Sequence, residues 1–422
     1  MKVGRGRWLG VVALLCSGCR PVEAPAALEH RVYVWQRAWT EDVRASVAEH
    51  GGRFAALDLL GAQVTWDRAS AAVPRVHPIA LDKEAVASVA KAGRPVGLVL
   101  RVEVPPEPLT GQGLSTIGDE AAVLLTRCRA LGLAPAEIQL DFDAPTARLG
   151  ELVRLLQAIR DRVGPVPVAF TALPAWLGSR SLAEAASLAD RFVLQVHSLD
   201  LARGPGPALV RSKDALQWAK KAEALGRPFW IALPTYSYLG ALDESGRLLS
   251  AFAEAPGNVP DGAVRLEAVS ADPIQLSELV MALERSRLEH LRGVAWFRMP
   301  VTGDARNWRW PTLAAVLEGR KPAARIHAKA SDGTRGEILI EVSNEGDRDG
   351  PLPELRLRSL EGRITAFDGI GGCRLIELGS GTLSVQPAAA DSLAPGERRV
   401  VGWLRLREGG ASRVEIHGSN EP

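Results

Sequence analysis

Cysteine is scarce in this chain: four in 422 residues, two of them at positions 16 and 19. The other two, Cys128 and Cys373, lie far apart, which excludes a disulfide framework and any short-spaced zinc motif. Both thiols are expected to be buried and unpaired, a single long-range bridge in an oxidising compartment being the alternative. An excess of charge of either sign is also missing. Lys and Arg number 51 against 49 Asp and Glu, interspersed along the chain, so nucleic acid is not an expected partner and no polybasic membrane patch is present. The apolar run from Trp8 to Leu15 is too short for a membrane-crossing helix, which needs about 20 residues. No glycine-rich phosphate loop follows the first strand, no metal-ligand spacing stands out, and no cofactor is implied. Internal repeats and low-complexity tracts are absent. Tyrosine is rare, three residues against eleven tryptophans, and many of the tryptophans fall beside strand ends.

What is present is an alternation of apolar β-rich runs with amphipathic helical stretches. Strands are expected at 32–36, 53–57, 96–103, 137–143, 166–173, 192–197, 229–234 and 293–298. Helices are expected at 42–50, 83–92, 118–131, 147–162, 181–188, 212–225, 274–291 and 311–317, with Gly93, Gly132, Gly164 and Gly226 each placed where a helix closes. Eight strands with helical crossovers over 31–320 have the count and length of a (β/α)8 barrel; a doubly wound open sheet is the alternative. Beyond Lys321-Pro322 the pattern turns to short alternating runs broken by Gly, Pro, Asn and Asp, so 323–422 reads as a small antiparallel β-sandwich. The loop 239–272 after the seventh strand reads as an irregular flap with one short strand near 264–267.

Strand four is the most informative segment. Ile138, Leu140 and Phe142 share one parity, and Gln139, Asp141 and Asp143 share the other, so alternation places both aspartates on one face at the strand's end. In a parallel barrel that end is where reaction sites are built. Other strand ends add polar groups: Gln36, Arg101, Glu103, Thr171, Gln195, His197, Tyr236, Trp296 and Arg298. Glycoside cleavage needs one protonated and one ionised carboxyl. Asp143, nearer the opening, is the expected acid; Asp141, within reach of Arg101, is the expected positioner or base; Glu103 is the alternative second carboxyl. Arg101, Gln139, Thr171, Gln195, His197, Tyr236, Trp296, Arg298 and Gln36 are the expected substrate contacts. Plainer readings stand beside these: Arg101 with Asp141 as a structural ion pair, His197 as a hydrogen-bonded structural residue. Asp141, Asp143 and His197 as a metal site is a weaker alternative.

Residues 1–19 combine Lys2, Arg5 and Arg7, the short apolar run and Cys16-Ser17-Gly18-Cys19. This resembles the signal and lipobox of bacterial lipoproteins, with Cys19 as the lipidated residue and 20–30 as a tether; Cys16 stands where leucine is usual. Arg20 in place of Asp favours the outer membrane, facing the periplasm. Asp141-Phe142-Asp143 resembles part of the Asp-x-Asp-x-Glu signature of chitinase-like barrels, but Pro145 occupies the position of the catalytic Glu. A broader resemblance rests on Tyr33-Val34-Trp35-Gln36-Arg37, Gln139 to Asp143, Thr171 to Leu177, Leu194-Gln195-Val196-His197 and Ala232 to Tyr236. These motifs, in this order, resemble the bacterial family called domain of unknown function 3142. The resemblance implies a glycoside-hydrolase-like barrel in an envelope lipoprotein and no established activity. The expectation is a monomer that hydrolyses a glycan or polysaccharide, or else binds glycan or protein without turnover.

Overall fold

The computed structural model describes residues 27–66, 73–200, 207–252, 259–379, 381–388 and 391–418. Cys19, the leader and most of the tether lie outside the described residues. The barrel begins with β1 (Glu29–Val34), α1 (Glu41–His50), β2 (Ala56–Trp66), β3 (Pro74–Pro78), α2 (Lys83–Lys91) and β4 (Val96–Val102). It continues through α3 (Gly111–Ala130), β5 (Pro135–Asp141), α4 (Leu149–Val163), β6 (Val168–Ala172), α5 (Arg180–Leu188), β7 (Arg191–Gln195), α6 (Ser212–Glu223) and β8 (Phe229–Pro234). After β8 come β9 (Ser237–Leu242), β10 (Leu248–Phe252), β11 (Arg265–Ser270), α7 (Pro273–Ser286), β12 (Leu291–Phe297) and α8 (Trp310–Leu317). Strands β1, β2, β4, β5, β6, β7, β8 and β12 pair in parallel in that order, and β12 pairs back with β1. The barrel is closed.

The helices follow from local chemistry. Thr40, Asp82, Thr110, Ser179 and Asp272 accept a backbone N–H from the first turn of α1, α2, α3, α5 and α7, satisfying donors that the helix itself leaves open. Gly132 follows α3 with φ +77°, a left-handed conformation that costs glycine little.

Alternation then sorts the strand residues into two cores. One parity packs under the helices, where Ile138, Leu140 and Phe142 of the β5 segment are at most 1 % exposed. The other parity fills the lumen in layers. Lowest are Arg31, Asp58, Glu137, Arg191 and Trp230. Arg31 holds Asp58 through Nε at 3.1 Å and Nη2 at 2.5 Å, and it also pairs with Glu137. Arg191 closes on the other Glu137 oxygen as an ion pair rather than an aligned hydrogen bond. Both arginines lie against the Trp230 ring, at 5.0 and 5.7 Å. Gly97 makes room here: a Cβ would stand 2.5 Å from Asp58 Oδ1. Above this sits an apolar layer with Tyr33, Leu60, Val99, Val193, Ala232 and Ala295.

Two elements differ from the sequence reading. The second strand runs from Ala56 to Trp66, later and longer than expected, because its far half pairs with β3 in an antiparallel hairpin rather than ending at the barrel rim. The segment after β8 is not an irregular flap; its described residues form a three-stranded antiparallel sheet, ordered β10, β9, β11. Beyond α8, two four-stranded antiparallel sheets enclose a separate apolar core that includes Ile340, Val342, Leu357, Leu383 and Val401. That is a β-sandwich, its first strand being Ile326–Asp332. Cys128 lies in the barrel core and Cys373 in the sandwich core, both buried and free.

Candidate active site at the mouth of the barrel

A cavity of about 380 Å³ opens over the apolar lumen layer, at the C-terminal ends of the strands. Asp141 is the last residue of β5 and is paired in register with Arg101 at the end of β4. Asp141 is 6 % exposed, and its carboxylate lies 4.0 Å from Arg101 Nη1. Tyr33 donates to Gln139 Oε1 at 3.0 Å, Gln139 Nε2 donates to Thr171 Oγ1 at 2.9 Å, and the Thr171 hydroxyl is left to donate to Asp141. Gln139 Nε2 also donates to the Tyr33 hydroxyl at 2.9 Å, so the amide is held from both sides and fixes Thr171 beside the carboxylate. Burial pushes the Asp141 pKa up, while Arg101 and Thr171 act to hold it down.

Asp143 continues the same parity beyond the strand and stands exposed at the mouth. Although one side meets solvent, the concave rim displaces much of its hydration, and the Asp141 charge lies beneath it. Both effects disfavour ionisation, and its pKa is pushed up to about 7 against the opposing pull of Arg101.

The facing wall is aromatic. His197 stacks on Phe297 at 5.5 Å and meets Tyr236 edge-on, with Nδ1 3.4 Å from the Tyr236 hydroxyl. Burial pushes the His197 pKa down to about 3, so it is a neutral ring at ordinary pH. Its Nε2 has no partner among the described residues. Tyr238, Phe252 and Trp35 extend the wall, and the Arg101 guanidinium lies over Trp35 at 5.7 Å. Arg298 lines the cavity while its Nη2 donates to Asp304 at 2.7 Å; the Phe297–Arg298 peptide is cis.

Of the expected site residues, Asp141, Asp143, Arg101, Thr171, Gln195, His197, Tyr236 and Arg298 converge on this cavity. Gln139 lies just beneath, behind Thr171. Three do not reach it. Glu103 follows the end of β4, is exposed, and accepts from Gln63 Nε2 at 2.8 Å outside the lining. Trp296 has the opposite parity from the lumen residues Ala295 and Phe297; it is fully buried under the helices and donates to His30 Nδ1 at 3.1 Å. Gln36 is half-buried beside Trp35 and Arg37, which line the cavity in its place. Tyr33, Trp35 and Phe297 were recoverable from alternation along β1 and β12. Phe252, carried on β10, left no signal in the sequence.

Asp141, Asp143 and His197 form no ligand cluster among the described residues. The one such group there is Glu223, Glu289 and His290 at the opposite end of the barrel, where His290 Nδ1 lies 2.8 Å from Glu223. No described helix is long and apolar enough to cross a membrane.

Residues 92–302, half of the chain, match the family model described as domain of unknown function (DUF3142). The chain belongs to the DUF3142 family. The matched span runs from just before β4 to just past β12 and so contains Arg101, both aspartates, His197, Tyr236 and Arg298. A comparison with curated proteins gives no match. Among solved structures, this DUF3142 chain is similar to the spore cortex-lytic enzyme SleL of Bacillus cereus, at 12% identity and a TM-score of 0.48 over 70% of this chain and 74% of that one. It is also similar to the chitinase ChiA74 of Bacillus thuringiensis, at 9% identity and 0.45 over 93% and 100%. A third is the chitinase of Chromobacterium violaceum, at 14% identity and 0.42 over 69% and 99%. At these scores the likeness carries no weight on activity.

Proposed function

We propose that this protein hydrolyses a glycosidic bond in the cavity over Asp141 and Asp143. The observation that carries the reading is the Asp143 carboxyl, exposed at the barrel mouth with a pKa of about 7 and facing an aromatic wall. A carboxyl that is part-protonated at neutral pH can deliver a proton, and enzymes raise carboxyl pKa values for that purpose. Sugar rings present apolar faces to aromatics and hydroxyls to carboxylates and arginines, and the cavity's two walls supply both. Its volume lies within the usual range for small-ligand sites, about 300–1,000 Å³.

In this reading Asp143 gives its proton to the leaving oxygen as the bond from the anomeric carbon breaks. The Asp141 carboxylate, held by Thr171 and Arg101, offsets the positive charge that develops on the sugar. Water adds to the anomeric carbon and its proton returns to the carboxylate pair. Incubation with a glycan panel, followed by detection of new reducing ends, tests this. Turnover lost in Asp143→Asn supports it, and turnover unchanged in both Asp143→Asn and Asp141→Asn removes it.

Pro145 in the position of the chitinase catalytic Glu favours a second reading, a barrel that binds glycan without cleaving it. Binding retained in Asp143→Asn, with no turnover in the unaltered protein, would support that alternative. We further propose that the chain is exported and anchored by a lipid on Cys19, in the outer membrane facing the periplasm. Labelled fatty acid should be incorporated by the natural chain and not by Cys19→Ser.

A further inference from the structure

We propose that a second cavity, at the junction of barrel and sandwich, binds a small oxyanion, a carboxylate or a phosphate. The cavity measures about 210 Å³ and is lined from the barrel side by Tyr236, Ser237 and the segment around Arg306, and from the sandwich side by Arg348 and Asp349. Three arginines, Arg306, Arg309 and Arg348, line this cavity with one carboxylate, Asp349. Arg309 Nε takes that carboxylate, donating to Asp349 at 2.9 Å, which leaves Arg306 and Arg348 without an ionic partner among the described residues. Arg306 Nη1 and Arg348 Nε are each sealed from solvent and lack a hydrogen-bond partner.

Each half-buried guanidinium thus has one nitrogen that has lost water and gained no partner, which costs stability. An anion in the cavity meets cations that the protein has already part-desolvated and left un-neutralised. The planar guanidinium suits carboxylate and phosphate geometry alike. Ser237 and Trp308, also in the lining, add a hydroxyl and an apolar wall for the body that carries the anion. The site does not depend on the reaction proposed for the barrel mouth. It is nonetheless adjacent to it, because Tyr236 lines both cavities and Arg306 accepts from Ser237 N through its carbonyl at 2.7 Å.

The test is calorimetric titration of the full chain with galacturonate, inorganic phosphate and galactose in turn. Binding of galacturonate or of phosphate, weakened at least about tenfold in both Arg306→Gln and Arg348→Gln, supports the site and tells a carboxylate from a phosphate source. Circular dichroism of the two variants, which lie in different units of the fold, checks that each is folded. The proposal fails if neither anion binds, if uncharged galactose binds as well as galacturonate, or if binding survives undiminished in either folded variant.

Discussion

Asp141 and Asp143 extend the same face of β5 but live in different surroundings: one is sealed between Arg101 and Thr171, and the other stands at the open mouth. Burial raises the proton affinity of both, the Asp141 charge raises that of Asp143 further, and Arg101 opposes the rise at each. The pair therefore takes up one proton more readily than two isolated aspartates would, and the exposed partner holds it near neutrality.

The first expectation concerns the proton donor. Asp143→Asn should lower turnover on any glycan the protein cleaves by about 100-fold or more, the usual scale of general acid catalysis. Circular dichroism should be unchanged, since the side chain is exposed. A loss below about fivefold would remove Asp143 from the chemistry.

The pH profile gives an independent check. If protonated Asp143 is the active form, turnover should fall as pH rises through about 7. Asp141→Asn removes a charge that raises this pKa, so residual activity should fall off at lower pH. Arg101→Gln removes a charge that lowers it, so the fall should move to higher pH. Displacement in the same direction for both variants contradicts the electrostatic account.

His197 predicts a stability slope. Burial pushes its pKa down to about 3, below the roughly 6.5 of an unfolded chain. Between those values the unfolded state binds the proton and the folded state does not, so this residue's contribution weakens as pH falls from about 6.5 toward 3. Denaturation of His197→Gln at a series of pH values should show a shallower decline than the natural chain over that window.

The ionic layer low in the lumen predicts a large mutational effect. Glu137→Leu leaves Arg31 and Arg191 facing each other with Asp58 as the remaining anion. Removing one partner from a buried network costs about 3–5 kcal/mol, which urea titration would resolve. Gly97→Ala should disturb the same layer, because its Cβ would crowd Asp58 Oδ1 at 2.5 Å. Stability unchanged in both variants would show that the layer contributes nothing.

How much of this was legible in the sequence depends on whether a residue obeyed local periodicity. The β5 segment shows it best: apolar and polar parities alternate without interruption, and both aspartates fall where alternation puts them. Trp296 shows the limit. It shares a parity with Arg298, yet Ala295 and Phe297 are the inward residues of β12, and beyond the strand both Phe297 and Arg298 line the cavity. Glu103 had the right parity and still misses, because pairing ends at Val102 and Gln63 captures the side chain. The β9–β11 sheet was obscured by the Gly, Pro and acidic residues of its connections. The layer of Arg31, Asp58, Glu137 and Arg191 unites four strands distant in sequence, and no local pattern announces such a meeting.

That layer has a consequence for traffic. With Trp230 it stoppers the lower end of the lumen, making the barrel a cup rather than a pipe. Whatever enters at Asp143 must back out by the same doorway, so a polymer cannot be threaded through. It can only dip a terminus in or lie across the brim.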